Sequence, residues 1–242
     1  MNNNRNDLQN NIKIDNIKLK SNQESVLFLI DCFPDSPIYD EVINEYITLE
    51  KETRNVIEPF ALLQFGEIKD DVETKNYETA TPCCYVFYTI GNKIKEISSN
   101  YFGEGKYLEG MIVNAIADDY LFQLDKELKE EIRKICQDRN IGVIERLEIP
   151  MDMPMEAQKV VLEETKADKI LNISVTEGYM FTTVKSNCFI LILSKDVEQM
   201  NLKHDCSKCN QINCKLRDLQ VEDDINAGSK YWNSPWWQKN YN

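Results

Sequence analysis

The chain has 242 residues with a formal net charge of −13, 42% hydrophobic and 29% charged residues, enough for one large domain or two small ones with a sizeable core. Such an acidic surface offers no basic stripe for counterion release along a phosphate backbone, which excludes nucleic acid as a partner. No apolar run approaches the ~20 residues that span a bilayer, and the polar start, Met1-Asn-Asn-Asn-Arg-Asn-Asp, has no secretory apolar segment behind it, so a cytoplasmic, reducing location without a membrane partner is expected.

Residues 1–24, rich in Asn, Lys and Gln, are expected to form a mobile lead-in. Val26-Leu-Phe-Leu-Ile30 is a short apolar run whose length favours a strand. Ser36-Pro37 then opens a helix, with Asp40 and Glu41 in its first turn and Ile38, Val42, Tyr46 and Leu49 at helical spacing, running to about Asn55. Phe60 to Ile68 reads as a strand, Lys69 to Ala80 as a charged connection, and Cys84 to Ile90 as a β-prone run ended by Gly91-Asn92.

A short helix over Lys93 to Phe102 is broken at Gly103-Glu-Gly105. The longest element follows, from about Lys106 to Cys136, with Leu108, Met111, Ile112, Ala115, Ile116, Leu121, Leu124, Leu128, Ile132 and Ile135 on one face. Gly142 to Pro150 is extended, and Pro154 with Glu156 opens a helix towards Lys166. Ile173 to Phe181 and Asn187 to Ser194 read as strands, the second so continuously apolar that both its faces should be buried. Mixed strands and helices with a β-rich end imply an α+β fold.

The most chemically specific stretch is Cys206-Ser-Lys-Cys209-Asn-Gln-Ile-Asn-Cys214, with the chain's single histidine, His204, two residues upstream. Thiolates at such short spacing converge as zinc or an iron–sulfur cluster requires. A fourth ligand could be His204, a distant thiol such as Cys188 or Cys32, or an exogenous group. Cys83 and Cys84 are adjacent and would point to opposite faces of a strand, so they read as packing residues. One histidine beside the cysteines leaves none for a Ser-His-Asp or Cys-His mechanism elsewhere, and no residue is assigned a catalytic role. No Gly-x-Gly-x-x-Gly follows a strand, which removes a nicotinamide reading. The expected organisation is a mobile segment over 1–24, an α+β domain over 25–200, a cysteine-rich knuckle over 201–217 and an aromatic tail over 218–242 carrying Trp232, Trp236 and Trp237.

Three blocks occur in order: Gly105-Lys-Tyr-Leu-Glu-Gly-Met-Ile-Val-Asn-Ala-Ile-Ala117; Asn172-Ile-Ser-Val-Thr-Glu-Gly-Tyr-Met-Phe181 with Val184-Lys-Ser-Asn187; and the Cys206/Cys209/Cys214 segment with Arg217. Together they resemble the activation domain of cobalamin-dependent methionine synthase, especially its stand-alone bacterial relatives with a C-terminal cysteine cluster, over roughly residues 25 to 217. The resemblance implies a bent, mainly antiparallel sheet with packed helices. It also implies S-adenosylmethionine as cofactor and a corrinoid-bearing methyltransferase protein as partner, whose oxidised cobalt is reduced by a flavodoxin or ferredoxin and then methylated. Activity, if present, would belong to that methionine synthase system. Arg146 would clamp a carboxylate of the ligand, with Pro150 and Glu177 beside it, and His204, Cys206, Cys209 and Cys214 would hold an iron–sulfur cluster or zinc.

One departure bears on the cofactor. The family's arginine is followed by Pro-Gly-Tyr and a second, helix-starting proline, whereas Arg146-Leu-Glu-Ile-Pro150-Met-Asp-Met-Pro154 has Met151-Asp152 in place of Gly-Tyr. Met151 restricts φ where glycine permits close backbone approach, and the tyrosine's ring is lost. Two alternatives therefore stand: the reactivation accessory, with Arg146 as clamp, and a non-catalytic interaction module with a structural zinc knuckle. In the second, S-adenosylmethionine binding has been lost and the aromatic tail engages a partner; on its own, Arg146 also reads as a surface ion pair beside Glu145 and Glu148.

Overall fold

The computed structural model describes residues 11–205; Cys206, Cys209, Cys214 and the aromatic tail lie outside them. Alternating and continuous apolar runs form five strands: β1 (Asn11–Ile14), β2 (Phe60–Glu67), β3 (Pro82–Thr89), β4 (Gly142–Glu148) and β5 (Ser186–Ser194). They make one antiparallel sheet in the order β1-β2-β3-β5-β4. The helices are α1 (Gln23–Leu29), α2 (Tyr39–Thr53), α3 (Lys93–Gly103), α4 (Tyr107–Asp138), α5 (Ala157–Glu164) and α6 (Ala167–Ile170). The fold is α+β, as the order of elements requires.

The chain divides into two compact units. One holds the sheet, with Ile57–Asn92 and Tyr120–Asp205; the other holds Lys20–Val56 and Lys93–Asp119. In the sheet unit β5 lies between β3 and β4, and Cys188 to Ile192 are buried along their whole run, as its unbroken apolar sequence demands. On one face Leu62, Tyr85, Phe87 and Ile190 pack with Ala157 and Val161 of α5 in a single core cluster. Phe181 meets Phe87 edge to face, with centroids 5.2 Å apart. Burying each of the larger side chains contributes about 1.5–3 kcal/mol.

The opposite face carries Cys84, Val86 and Tyr88, since successive strand residues alternate. The second half of α4 supplies Leu124, Leu128, Ile132 and Cys136, one per turn and all fully buried. Polar contacts also join this helix to that face, among them Tyr88 Oη, which donates to Asp125 Oδ1 at 3.1 Å, and the Arg139 guanidinium, 4.4 Å from the Phe65 ring centroid. Cys83 and Cys84 point to opposite sides of β3, both buried, and burial pushes the Cys83 thiol up to about 12. Such thiols are inert.

Three local expectations differ from the structure. Val26 to Leu29 belongs to α1, because the Asn22 side chain accepts hydrogen bonds from the Glu24 and Ser25 amides at 2.9 and 3.3 Å. This cap nucleates a helix that a run of that length cannot declare by itself. Within the same unit, the Asn22 amide donates to Asp119 at 2.7 Å. Residues 173–181 form no strand. Asn172 and Tyr179 take positive φ values of 52° and 58°, Thr176 to Tyr179 make a turn closed by a 2.9 Å bond, and only Val175 and Phe181 bridge. Finally, residues 11–14 of the expected lead-in form edge strand β1, in register with Ala61 to Gln64.

Gly142 opens β4 where the chain after β5 crosses it: a Cβ there would stand 1.8 Å from the Asp196 carbonyl oxygen. Gly142→Ala is expected to lower stability by about 3 kcal/mol in urea denaturation. Gly66→Ala, where a Cβ meets nothing within 4 Å, should be neutral or stabilise by up to ~1 kcal/mol.

Candidate functional site

Arg146 and Glu148 are two residues apart on β4 and therefore share a face. It is the face covered by the second half of α4, which brings Asp125 to them. Arg146 Nη1 donates to Asp125 Oδ1 at 2.8 Å, and Nε lies 2.5 Å from Glu148 Oε1. The Nε contact lacks hydrogen-bond alignment and is an ion pair only. The guanidinium carbon sits 3.7 Å from the centroid of Phe189 on β5, a cation–π stack. Nη1 also reaches the Leu202 carbonyl at 3.5 Å.

Asp125 Oδ2 pairs with Lys129 Nζ at 3.0 Å, one helical turn on. Tyr88 Oη, donating to Asp125, accepts from Asn187 Nδ2 at 3.1 Å. His204 Nδ1 stands 3.2 Å from Glu148 Oε1. The Arg146 side chain is 3% exposed, Asp125 9% and Glu148 8%, so this is a buried network with matched charge and not the surface pair expected of Arg146. Glu145, the other expected partner, instead accepts from Tyr77 Oη at 2.8 Å.

Burial opposes ionisation of Asp125, but Arg146 and then Lys129 outweigh it and hold the carboxyl below its ordinary range. Burial likewise opposes the charge on Arg146, and Asp125 and Glu148 reverse that, keeping it protonated. Burial, and then the Asp125 charge, pushes the Tyr88 phenol well up, which keeps it a donor.

The structure brings Arg146 and His204 together through their shared partner, Glu148. It does not join them to Pro150 or Glu177. Pro150 is exposed in the turn after β4, Glu177 is exposed in the Thr176–Tyr179 turn, and neither makes a polar contact with Arg146. Asp152 closes the β4 turn: its Oδ2 accepts from the Glu148 amide at 2.9 Å and its own amide donates to the Glu148 carbonyl at 2.8 Å. The Met151 carbonyl accepts from Lys75 Nζ at 3.1 Å. Cys32 and Cys188, the distant thiols, are buried, and burial raises both. Among the described residues no three His, Cys, Asp or Glu side chains are placed to hold a metal. Asp125, the partner that sequence reasoning missed, had a signal: it interrupts an apolar helix face between Leu124 and Leu128, where an acid needs a buried counter-charge.

The same unit also holds a cavity away from this network. A cavity of about 490 Å³ is lined by Asp15, Asn16, Glu58, Phe60, Thr89 and Ile173, among others. Phe60 and Ile173 belong to the α5 side of the sheet, so the cavity is on the other face from Arg146.

No protein-family profile matches this chain, and no curated protein matches it in sequence. Solved structures do match in fold. One is a crystal structure of the MetH reactivation domain bound to AdoHcy, with a TM-score of 0.53 and 10% identity over 88% of this chain and 88% of that one. The chain therefore has the α+β fold of that domain. No helix among the described residues is long and apolar enough to cross a membrane.

Removing Arg146 strands two buried carboxylates. Arg146→Met should cost about 3–5 kcal/mol by denaturant titration, and adding Asp125→Leu should recover part of it. Asp125, with its folded value depressed, contributes stability above the unfolded value of about 3.9 and loses it as pH falls through the folded value. The Asp125→Asn protein, less stable near pH 7, should therefore lose less than wild type between about pH 5 and about pH 3.

Proposed function

We propose that this chain is an accessory protein of the methionine synthase activation-domain type, acting on a corrinoid protein in the S-adenosylmethionine-dependent reductive reactivation of cobalt. What supports this is the fold shared over 88% of both chains with a reactivation domain whose structure holds AdoHcy, together with the ordered sequence blocks. Arg146 is the residue to clamp the ligand carboxylate, with Pro150 and Glu177 as neighbouring contacts. Because the guanidinium is held on both sides, that carboxylate must take the place of Asp125 or Glu148.

Cys206, Cys209 and Cys214, with His204, are proposed to hold zinc or an iron–sulfur cluster. A carboxylate on Nδ1 of a histidine orients the ring so that Nε2 is the nitrogen offered to a metal, and Glu148 stands at that position. An iron–sulfur cluster there would supply single-electron transfer towards cobalt, fed by a flavodoxin or ferredoxin.

A second reading is favoured by the 3% exposure of Arg146 and the matched carboxylates around it. In it the arginine is structural, S-adenosylmethionine binding has been lost, and the protein is an interaction module with a zinc knuckle.

Calorimetry of anaerobically purified protein with S-adenosylmethionine and S-adenosylhomocysteine separates the two. The first reading expects saturable binding that Arg146→Lys, which keeps the charge but loses the planar fork, weakens at least about tenfold. It also expects faster cobalt reactivation in a methionine synthase lacking its activation domain. No binding of either ligand, with a colourless zinc protein, leaves the second reading standing.

A further inference from the structure

We propose that the aromatic segment over residues 229–242 docks back on an exposed apolar shelf where α3 meets α4, in the unit that does not hold the sheet. The shelf is made by Phe102, Tyr107 and Met111, which are 40%, 66% and 47% exposed. Tyr107 and Met111 lie one helical turn apart on α4 and share a face. The Phe102 ring, at the end of α3, stands 6.4 Å from the ring of Tyr107. Large apolar side chains gathered on one exposed corner mark a contact surface, whereas single scattered ones do not.

The corner is held in place by its own contacts. A Cβ on Gly110 would stand 3.0 Å from three Phe102 ring atoms at once, so the ring rests on α4 because that residue is glycine. Ser98 Oγ donates to the Gly110 carbonyl at 2.9 Å and ties the two helices at the same point. Between them, the Gly105 amide donates to the Phe102 carbonyl at 3.1 Å and the Lys106 amide to the Tyr101 carbonyl at 2.9 Å. Gly105 makes this turn with a φ of +78°, which favours glycine. The aromatic faces are therefore set before anything binds, which lowers the cost of docking.

The flanks of the shelf are acidic. Helix α2 carries five acids and one lysine, and its Glu52 accepts from Tyr101 Oη at 2.8 Å. Glu104 and Glu109 border the turn, and Lys106 is paired with Glu104 at 2.7 Å. Such a surface selects an apolar partner that carries positive charge. In a chain of net charge −13, residues 225–242 contain Lys230, Lys239 and no acid, with Tyr231, Trp232, Trp236, Trp237 and Tyr241 among them. The stretch 206–228 supplies a tether that reaches up to roughly 75 Å when extended. A tethered segment meets its site at an effective concentration of about millimolar order. A second copy of the chain at micromolar concentration competes poorly with that.

All three tryptophans of the chain lie in this segment, so tryptophan emission reports on it alone. The test records emission and acrylamide quenching of the whole protein and its variants at matched metal content. Blue-shifted emission that does not change with protein concentration is expected, because docking covers the indole rings. Tyr107→Gln/Met111→Gln, altered at exposed positions and so expected to fold with an unchanged far-ultraviolet spectrum, should shift emission to the red and raise quenching at least about twofold. Lys230→Glu/Lys239→Glu, which leaves the shelf intact, should do the same. Val184→Gln, at an exposed apolar position of the sheet unit, should leave emission as in wild type. Wild-type emission already at the position of water-exposed indole would overturn the proposal. So would blue-shifted emission that the shelf variant does not move, which places the segment elsewhere. A blue shift that grows with concentration alongside a dimer in sedimentation would make a second copy the occupant and overturn it too. None of these readouts involves Arg146, so they are independent of the S-adenosylmethionine titration.

Discussion

Taking a guanidinium out of water is expensive, several kcal/mol even after the surroundings relax, and the sheet unit does it at Arg146 by closing every side. Asp125 comes from α4, Glu148 from β4 itself, the Phe189 ring from β5, and the Leu202 carbonyl from the chain beyond β5. No partner can be withdrawn without leaving a charge or an aromatic face exposed. The apolar stripe Leu124, Leu128, Ile132 and Cys136 could slide by a turn along the sheet and still bury comparable area, because its residues repeat at the same spacing. The Asp125 pair cannot. The network therefore contributes register more than net stability, which is the best-attested use of a buried ion pair.

The same network reaches the start of the cysteine segment. Glu148 holds both Arg146 and His204, and Cys206 follows His204 by two residues. The other face of the sheet is organised differently: its core is mainly apolar, with the Tyr85 hydroxyl tied to the Lys69 amide and the Glu67 carbonyl. One sheet thus separates two unlike environments, one buried with matched charge and one mainly apolar.

Much of this was readable from residue order, and the gaps have physical causes. The strands β2 to β5 and the long helix α4 followed from periods of two and 3.6 sustained over many residues. The α1 segment was ambiguous because five apolar residues satisfy either period, and the deciding group was a side-chain cap at Asn22. Residues 173–181 have strand composition, yet positive φ at Asn172 and Tyr179 overrides it. Arg146 was singled out as a carboxylate clamp, whereas its environment in the fold depends on Asp125, twenty-one positions upstream, and no local pattern states that pairing. The cavity was invisible for the same reason, since its lining comes from five stretches that only the sheet brings together.

The place where the sequence departs from its resemblance and the place where Arg146 is closed off are physically one. Asp152, where the resemblance would put a tyrosine, folds back onto Glu148 with two hydrogen bonds. Glu148 in turn lies against Arg146. In this chain the turn thus fixes the main chain of Glu148, whose carboxylate occupies the arginine. At 10% identity the shared fold transfers an arrangement of strands and helices, and the chemistry must be argued from contacts like these. A ligand carboxylate arriving at Arg146 has to compete with an internal one already anchored by the turn, so affinity there is set by the difference between two carboxylate pairings and not by the strength of either alone.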